Sequence, residues 1–349
     1  MNVEIALRDR TYEVALGEGV RHEVFDFIRE SRPRAQAVVV VTSASLRAQP
    51  WFDFVHEARV PVIEVPEGES AKNFAALEAL CEELAQHTLS RDDVVVSVGG
   101  GAITDMVGFA AAVYLRGIEV VHVATSLVGQ VDAAIGGKTA IDLAAGKNLV
   151  GAFHQPLRVF CDFETLASLP ERERLSGMGE IAKCWLLEGR NVRSLEATSL
   201  AQLIEMSVAL KATIVGEDEF ESGRRALLNY GHTLAHAIEA LALARDADEL
   251  RHGEAVAIGL GYAARLAHAL GRVDAGVVVG HDEVLDMLGL HRNVPRDLDT
   301  MDIVRAMGHD KKAHHDLTFV LAGAHGFEVV AGVDPETVAR VLESFRGEA

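Results

Sequence analysis

The feature that most constrains the fold is a series of short, β-branched runs in the first half of the chain, which alternate with amphipathic helical segments. Five runs have this character: Ala37–Val41, Val60–Val65, Val94–Val98, Val120–Val123 and Val159–Cys161. Several are apolar on both faces, as the strands of a parallel sheet covered on both sides must be. Residues 74–87 have helical periodicity and fit a crossover between two such strands. We therefore predict an N-terminal α/β domain with a mostly parallel sheet.

The second half of the chain has a different pattern. From about Leu169 onward, Ala-, Leu- and Glu-rich helical stretches dominate, which predicts a helical bundle. One apolar run, Leu317–Leu321, is a candidate late strand or hairpin. The predicted stretches are 177–191, 199–217, 225–244, 252–271, 283–289 and 335–346. We expect an α/β domain over residues 1–167, an all-α domain over residues 168–349, and a binding site in the cleft between them.

Composition excludes several classes of partner. The 349 residues carry 33 basic and 52 acidic side chains, a formal net charge of −19. This charge argues against nucleic acid or an anionic membrane as the main partner, but it leaves room for a small anionic substrate. The three cysteines lack Cys-x-x-Cys spacing and are interpreted as reduced thiols. With no signal peptide and no membrane-span pattern, we expect a soluble cytoplasmic protein.

A glycine turn follows one of the predicted strands. Val94–Val98 leads directly into Gly99-Gly100-Gly101 and then into a predicted helix. Glycines between a strand and a helix N-terminus let backbone N–H groups approach a pyrophosphate. Thr104 replaces the third glycine of the dinucleotide-binding pattern, so a ligand-free βα turn is an alternative. Glu69, which follows another predicted strand, could supply a carboxylate to ribose hydroxyls.

A second glycine motif lies in a cluster of basic residues. Residues 132–139 end like a phosphate-binding loop of nucleotide hydrolases, but Asp132 replaces the first glycine, which excludes that class. Lysine and asparagine side chains suit a phosphate monoester, although solvated surface lysines are the alternative. The residues concerned are Arg116, Lys138, Lys147, Asn148, Lys311 and Lys312.

Histidines mark the helical half. His232 and His236 lie one helical turn apart and therefore share a helix face, and His252 opens the next helical segment. With a carboxylate from elsewhere, these imidazoles could hold a divalent transition metal such as zinc. Taken as an isolated pair, they would more often be surface or capping histidines. A zincin-type protease is excluded because Thr233 occupies the position of its catalytic glutamate.

In their order and number, these motifs resemble the 3-dehydroquinate synthases of the sugar-phosphate cyclase superfamily. The resemblance covers essentially the whole chain. It rests on Gly99-Gly-Gly-x-x-x-Asp105, Tyr114-Leu-Arg116-Gly, Gln130-Val-Asp132, Gly136-Gly-Lys138-Thr, Gly146-Lys147-Asn148-Leu-Val-Gly-Ala-Phe, Gly179-Glu180-Ile-Ala-Lys183, Arg225 with Asn229-x-x-His232-x-x-x-His236, His252-Gly-Glu and Asp310-Lys311-Lys312.

The resemblance implies a set of site residues. The metal ligands would be Glu180, His232 and His252, holding zinc with cobalt as an alternative. The residues near NAD+ would be Glu69, Lys72, Gly99, Gly100, Gly101, Asp105, Thr125, Ser126, Lys138 and Lys147. The residues around the substrate would be Asp132, Lys138, Lys147, Asn148, Lys183, Lys211, Arg225, Asn229, His236 and Lys311. Arg116 would reach the phosphate of a neighbouring subunit, which implies a homodimer.

The implied reaction converts 3-deoxy-D-arabino-heptulosonate 7-phosphate to 3-dehydroquinate and phosphate, a step of aromatic amino acid biosynthesis by the shikimate pathway. The metal would acidify a substrate hydroxyl, and NAD+ would take a hydride and return it after phosphate has left. Ring opening and an intramolecular aldol closure would follow. Lys211 and Arg225 would bind the carboxylate, and His236 and Lys183 would relay protons or polarise hydroxyls.

Two departures from the family pattern stand out: Thr42-Ser43 replaces an Asp or Asn after a strand, and Asp142 replaces an Asn. Two other enzyme classes remain as alternatives. An aminodehydroquinate synthase would act on an amino analogue of the substrate. An iron-dependent alcohol dehydrogenase shares the glycine turn but would consume the nicotinamide, and the phosphate-binding residues disfavour it. The non-enzymatic alternative, an NAD-binding pseudoenzyme, is disfavoured because every expected catalytic position is filled.

Overall fold

The structure is a computed structural model that describes residues 1–144, 146–243, 250–308 and 317–348. The chain forms two compact units. The first contains Met1–Pro170 and Lys211–Glu219, and the second contains Glu171–Leu210 and Phe220–Ala349. The return of segment 211–219 to the first unit has no sequence signal, because a helical pattern shows which face is buried but not what covers it. The limits 1–167 and 168–349 remain a proposal.

The first unit is built on a seven-stranded sheet and a separate hairpin. The strand order in the sheet is β1-β2-β9-β6-β5-β3-β4, and every neighbouring pair is parallel except β1 with β2. The five predicted runs form β3, β4, β5, β6 and β9, so the prediction of a mostly parallel sheet is confirmed. The strands are β1 (Asn2–Ala6), β2 (Thr11–Gly17), β3 (Val38–Ser43), β4 (Val62–Val65), β5 (Val94–Gly99), β6 (Glu119–Ala124), β7 (Lys138–Leu143), β8 (Gly146–Phe153) and β9 (Arg158–Asp162).

Apolar cores on both faces explain the unbroken valine runs. Val94, Val96 and Val98 pack into one cluster, whereas Val95 packs into another. Successive side chains of a strand point to opposite faces, so both faces of β5 are buried. The helices of this unit are α1 (Val24–Ser31), α2 (Ala44–Arg47), α3 (Asp53–Ala58), α4 (Phe74–Gln86) and α5 (Gly101–Val113). The predicted crossover helix over residues 74–87 is therefore confirmed as α4.

The strand order places a ligand-binding edge at the glycine turn. From β3 the sheet continues to β4 on one side, and from β5 it continues to β6 on the other. The adjacent carboxyl ends of β3 and β5 thus flank a topological switch point, where ligands of open α/β sheets bind. Gly99 ends β5, so the glycine turn lies at this edge.

The hairpin of β7 and β8 accounts for the second glycine motif. Gly136 and Gly137 have φ of 92° and 65°, in the left-handed region that favours glycine. Lys138 then begins strand β7, whereas the lysine of a phosphate-binding loop is followed by a helix. The local structure therefore agrees with the exclusion of a nucleotide hydrolase.

The second unit is mainly helical. The helices that follow α5 in the chain are α6 (Glu171–Leu187), α7 (Val192–Leu195), α8 (Leu200–Glu217), α9 (His232–Leu243), α10 (His252–Ala269), α11 (Ala275–Met287), α12 (Thr300–Met307) and α13 (Pro335–Gly347). The last seven residues of α8 belong to the first unit. Among the described residues, no helix is long and apolar enough to span a membrane.

Two details of the second unit correct the sequence-based expectations. An antiparallel hairpin, β10 (Leu317–Gly323) with β11 (Gly326–Val333), confirms the late strand but shows that this half is not all-α. The helix predicted over 225–244 is divided into a 3₁₀ helix, Arg224–Asn229, and α9. The break lies at Gly231, whose φ of 80° is incompatible with a continuous α-helix.

Glycines allow α6, α9 and α10 to meet backbone to backbone. A Cβ atom added at Gly253 would lie 1.7 Å from the carbonyl oxygen of Ser176, and one added at Gly179 would lie 2.1 Å from that of Gly253. A Cβ added at Gly259 would lie 1.9 Å from the carbonyl oxygen of Gly231. These contacts fix α10 against α6 and against the start of α9.

We expect Gly253→Ala to lower the free energy of unfolding by about 3 kcal/mol, the upper end of the usual cost of overpacking, because the helices must separate to admit the methyl group. This loss exceeds the gain of about 1 kcal/mol that alanine brings to a helix. Urea denaturation measures the change. Gly280→Ala on α11 is the matched control, since a Cβ there meets nothing within 4 Å, and it should be neutral or stabilising. Equal stability of the two variants would contradict the proposed contact.

Candidate active site

Three side chains in the second unit form a candidate metal site. Ligand atoms of Glu180, His232 and His252 all lie within 4.8 Å of one another. Oε1 of Glu180 is 3.1 Å from Nε2 of His252 and 3.6 Å from Nε2 of His232. Glu180 and His232 are buried, whereas the His252 side chain is 31% exposed. Two imidazoles and a carboxylate with one open side are a donor set that suits catalytic zinc or cobalt.

Three helices supply these ligands. Glu180 lies within α6 next to Gly179, and His252 begins α10 next to Gly253, so the glycine contact brings the two ligands together. His232 begins α9. Because α6 and α10 approach at their backbones, short side chains suffice to bring the donor atoms into one group.

Hydrogen bonds orient the His232 ring and the Glu180 carboxylate. Nδ1 of His232 is 3.1 Å from the carbonyl oxygen of Tyr230. This oxygen can only accept a hydrogen bond, so Nδ1–H donates it, and Nε2 faces Glu180. The ammonium group of Lys183, also buried, forms an ion pair with Oε2 of Glu180. Lys183, which we expected to act near the substrate, therefore contacts Glu180, the carboxylate of the candidate metal site.

The electrostatics of the three ligands differ. Burial, aided by the charge of Lys183, lowers the pKa of His232 to about 3. Burial opposes the charge on Glu180, but Lys183 and the two imidazoles hold the pKa of this carboxyl well below its usual range. Burial also disfavours the charge on His252, yet hydrogen bonds with Glu180 and Glu239 raise its pKa to about 10. In the metal-free protein at neutral pH, Glu180 is therefore ionised, His232 is neutral and His252 is protonated.

Other expected substrate residues lie in the same unit. The His236 ring centroid is 5.2 Å from that of His232 and 6.4 Å from that of His252. Arg225 is only 1% exposed, and the Asn229 side chain donates to Oε1 of Glu221 over 2.7 Å. Lys311 lies outside the described residues. The structure thus brings His236 next to the two histidine ligands, His232 and His252.

In the first unit, close packing surrounds the glycine turn. A Cβ added at Gly99 would lie 2.6 Å from the side chain of Ile103, and one added at Gly100 would lie 2.9 Å from Oγ of Ser126. The backbone N–H of Thr125 donates to the carbonyl oxygen of Gly99 over 3.0 Å. Two expected cofactor residues, Thr125 and Ser126, therefore contact the turn directly.

Lys72 is the centre of a polar cluster near this turn. Its side chain is 4% exposed, and its Nζ lies 2.8 Å from Asp105, 2.5 Å from Oδ1 of Asn148 and 3.7 Å from Glu69. Nζ of Lys147 lies 4.0 Å from Glu69. Burial raises the pKa of Asp105 to about 6 although Lys72 opposes the shift. Cofactor residues expected from separate motifs thus meet in one cluster.

Asp142 has a clear structural role. Its Oδ1 accepts a 2.7 Å hydrogen bond from the backbone N–H of Asn148 and lies 4.0 Å from Nζ of Lys72. Asn148 has φ of 55°, an uncommon conformation for a residue with a side chain. The carboxylate that replaces the usual asparagine therefore stabilises the loop that presents Asn148 to Lys72.

Some expected neighbours are not brought together. Lys138 is exposed and pairs with Phe153 at one end of the β7–β8 hairpin, whereas Asn148 lies near the other end. Nζ of Lys211 is 2.5 Å from Oδ1 of Asp132, and both residues belong to the first unit. Arg116 is exposed on a turn in which Leu115 and Arg116 both have positive φ.

Sequence reasoning missed Glu239, and it noted Asp142 only as a departure from the family pattern without assigning it a role. Glu239 lies seven residues after His232 on α9 and hence on the same helix face, a spacing that could have indicated it. The hydrogen bond from Asn148 to Asp142 has no such signal, since it depends on the exact course of the β7–β8 turn.

Comparison with known proteins assigns the family. The profile described as "3-dehydroquinate synthase N-terminal" matches residues 62–176, and that described as "3-dehydroquinate synthase C-terminal" matches residues 177–313. The chain belongs to the 3-dehydroquinate synthase family. The resemblance seen in the motifs is therefore confirmed, and membership of this family of sugar-phosphate cyclases supports an enzyme.

Similar proteins carry the names of different enzymes. A "Putative aminodehydroquinate synthase" of Amycolatopsis mediterranei (strain S699) is 47% identical over 98% of this chain and 93% of its own length. A 3-dehydroquinate synthase of Mycobacterium leprae (strain TN) is 41% identical over 89% and 88%. A crystal structure of 2-deoxy-scyllo-inosose synthase with carbaglucose-6-phosphate, NAD+ and Co²⁺ superposes with a TM-score of 0.86 at 25% identity, covering 99% of both chains.

We predict that metal binding to the metal-free protein releases about one proton per ion, from His252. His232 is already neutral, and Glu180 is already ionised, so only His252 must lose a proton. Because its pKa is raised to about 10, affinity should rise about tenfold per pH unit between about pH 7 and 9. Isothermal titration of Zn²⁺ in buffers of different ionisation enthalpy measures the protons released. An affinity that does not change with pH would contradict the assignment.

Proposed function

We propose that this protein is a 3-dehydroquinate synthase, which converts 3-deoxy-D-arabino-heptulosonate 7-phosphate to 3-dehydroquinate and phosphate in the shikimate pathway. The convergence of Glu180, His232 and His252 in a chain of this family carries the proposal. The resident groups would be NAD+ and a divalent metal, zinc or cobalt. A cyclase of similar fold holds NAD+ and Co²⁺ with a phosphorylated sugar analogue, which supports both cofactors.

The chain's residues would hold these groups in different places. Glu180, His232 and His252 would hold the metal, and the Gly99–Gly101 turn with the Lys72 cluster would hold NAD+. When bound, the metal lowers the pKa of a substrate hydroxyl, and NAD+ accepts a hydride and returns it, so the cofactor is not consumed. The turn follows β5 at the switch point of the sheet, and its glycines carry no side chain that would keep a pyrophosphate from the backbone N–H groups.

Residues next to the metal site would manage protons. His236 lies one helical turn from His232 and near His252, which supports a role for its ring in proton transfer with substrate hydroxyls. Lys183 holds Glu180 ionised through its ion pair, so that the carboxylate remains a ligand over the working pH range. We propose that Lys183 also polarises a substrate hydroxyl.

Recognition of the substrate's charged ends would fall to basic residues. Arg225, with a rigid planar fork of donors, would bind the carboxylate, and each such charged hydrogen bond contributes roughly 1.5–3 kcal/mol. Lys211, held by Asp132, would assist it. The residues proposed to contact the phosphate and the substrate hydroxyls are Lys138, Lys147, Asn148, Asn229 and Lys311. Lys138 and Asn148 would do so at separate points, because they lie toward opposite ends of the β7–β8 hairpin. Arg116 is proposed to reach the phosphate of a second subunit in a homodimer.

A second candidate has one specific observation in its favour. The 47% identity with a protein named as an aminodehydroquinate synthase spans nearly the whole chain, which makes the amino analogue a plausible substrate in place of the hydroxy compound. An iron-dependent alcohol dehydrogenase would need none of the carboxylate- and phosphate-binding residues proposed above. The carboxylate-binding pair also disfavours cyclases of sugar phosphates without a carboxylate.

We expect purified protein, loaded with NAD+ and Zn²⁺, to release phosphate from the heptulosonate phosphate without net formation of NADH. Phosphate is measured by a coupled assay, NADH by absorbance at its nicotinamide band and the carbocycle by mass spectrometry. Running the hydroxy and amino substrates side by side decides between the two candidates. Accumulation of NADH equal to turnover would refute the cyclase and favour a dehydrogenase.

Replacement of His252 by Ala should remove bound zinc and cyclase activity together, because one of three ligands is lost. His268→Ala is the matched control: His268 lies on the same helix, α10, is exposed and hydrogen-bonds only locally, to the carbonyl oxygen of Val273 among the described contacts. Zinc content is measured by atomic emission on the purified proteins. Full zinc content in His252→Ala would show that the ligand assignment is wrong.

A further inference from the structure

Glu239 contacts the third metal ligand from behind. It lies on α9 and is only 7% exposed, and its Oε2 is 3.2 Å from Nδ1 of His252. On the other side of the ring, Nε2 of His252 is 3.1 Å from Oε1 of Glu180. The imidazole is thus held between two carboxylates that approach its two nitrogens from opposite sides.

This arrangement suits one tautomer of His252 once a metal ion occupies the site, because Nε2 must then be unprotonated to bind it. A carboxylate can only accept a hydrogen bond, so Glu239 favours a proton on Nδ1 of His252. The lone pair of Nε2 then points toward Glu180 and His232, where a metal ion would lie. His232 is oriented in the same sense, with its Nδ1 proton donated to the carbonyl oxygen of Tyr230.

The two histidines differ in the charge of their acceptors. His232 donates to a neutral backbone carbonyl, whereas His252 donates to an ionisable carboxylate. A hydrogen bond to a charged acceptor is roughly twice as strong as one to a neutral acceptor, and it makes the opposite nitrogen a better donor to a metal. Glu239 also adds a negative charge on the side of the His252 ring opposite Glu180, and the charge of Glu180 is itself compensated by Lys183.

We propose that Glu239 is a positioning residue for the metal ion: it fixes the ring and the tautomer of His252 so that Nε2 is presented with Glu180 and His232. The proposal rests on the proposed metal-binding role of these three ligands. It assigns Glu239 no contact with substrate. Burying a carboxylate is costly unless its charge is paired, and the contact with His252 supplies a partner for the carboxylate of Glu239.

The test measures metal binding, not turnover. Glu239→Leu removes the acceptor, and Glu239→Gln retains an acceptor oxygen without the charge. Glu173→Gln is the matched control, because it removes the same negative charge from a nearby glutamate. Glu173 pairs with Arg251, which precedes His252 in the chain. In the described structure Glu173 contacts none of the three ligands. Zn²⁺ affinity of the metal-free proteins is measured by competition with a chelating dye, and Co²⁺ binding is followed by visible absorption.

We expect Glu239→Leu to bind Zn²⁺ about 10- to 100-fold more weakly than the unmodified protein. Glu239→Gln should fall between the two, and Glu173→Gln should bind normally. The Co²⁺ absorption band should shift in both Glu239 variants, which a role in packing alone would not produce. Equal Zn²⁺ affinity and an unchanged Co²⁺ spectrum in Glu239→Leu would overturn the proposal.

Circular dichroism establishes whether each variant is folded. If Glu239→Leu does not fold, Glu239→Gln decides: a loss of about threefold or more with a shifted Co²⁺ band supports the proposal, and unchanged binding overturns it. Failure of the proposed function can be told apart from failure of the proposed role of Glu239. Unmodified protein that binds Zn²⁺ more tightly than the variants but forms no carbocycle would refute the cyclase and leave the role of Glu239 intact.

Discussion

The contact on which the candidate metal site depends is the backbone approach of α6 and α10. With no side chain at Gly179 and Gly253, the two helices meet at distances that a single methyl group would prevent. The neighbouring residues, Glu180 and His252, are thereby brought within 3.1 Å of each other. Had either glycine been alanine, the helices would lie farther apart, and the Glu180 side chain would have to span a wider gap to reach His252.

Both units use a buried lysine to control carboxylates. In the first unit Lys72 contacts Asp105 and orients Asn148, and in the second unit Lys183 contacts Glu180. An uncompensated buried charge costs several kcal/mol, so each lysine stabilises the ionised form of its partner. The pKa values of the two carboxyls nevertheless shift in opposite directions, because burial and the neighbouring positive charges act with different strengths at each site. Burial leaves the pKa of Asp105 raised to about 6, whereas Lys183 and two imidazoles hold that of Glu180 low.

Much of the fold followed from periodicity, and the failures have physical reasons. The valine runs predicted the parallel strands because both faces of β5 are buried. The helix predicted over 225–244 was interrupted, because apolar spacing does not reveal that Gly231 takes a left-handed conformation. Asp142, unexplained by its sequence position, proved to hold Asn148 through a backbone hydrogen bond that depends on the shape of one turn.

The sequence by itself determined the classes of element, the family and the residue types able to bind a metal, since these depend on spacing and chemistry along the chain. The tertiary structure alone decided which of those residues meet. Glu180 and His252 are 72 positions apart and converge only because two glycines allow their helices to touch. Likewise the spacing places Glu239 on the same helix face as His232, but its contact with His252 exists only because α9 packs beside the start of α10.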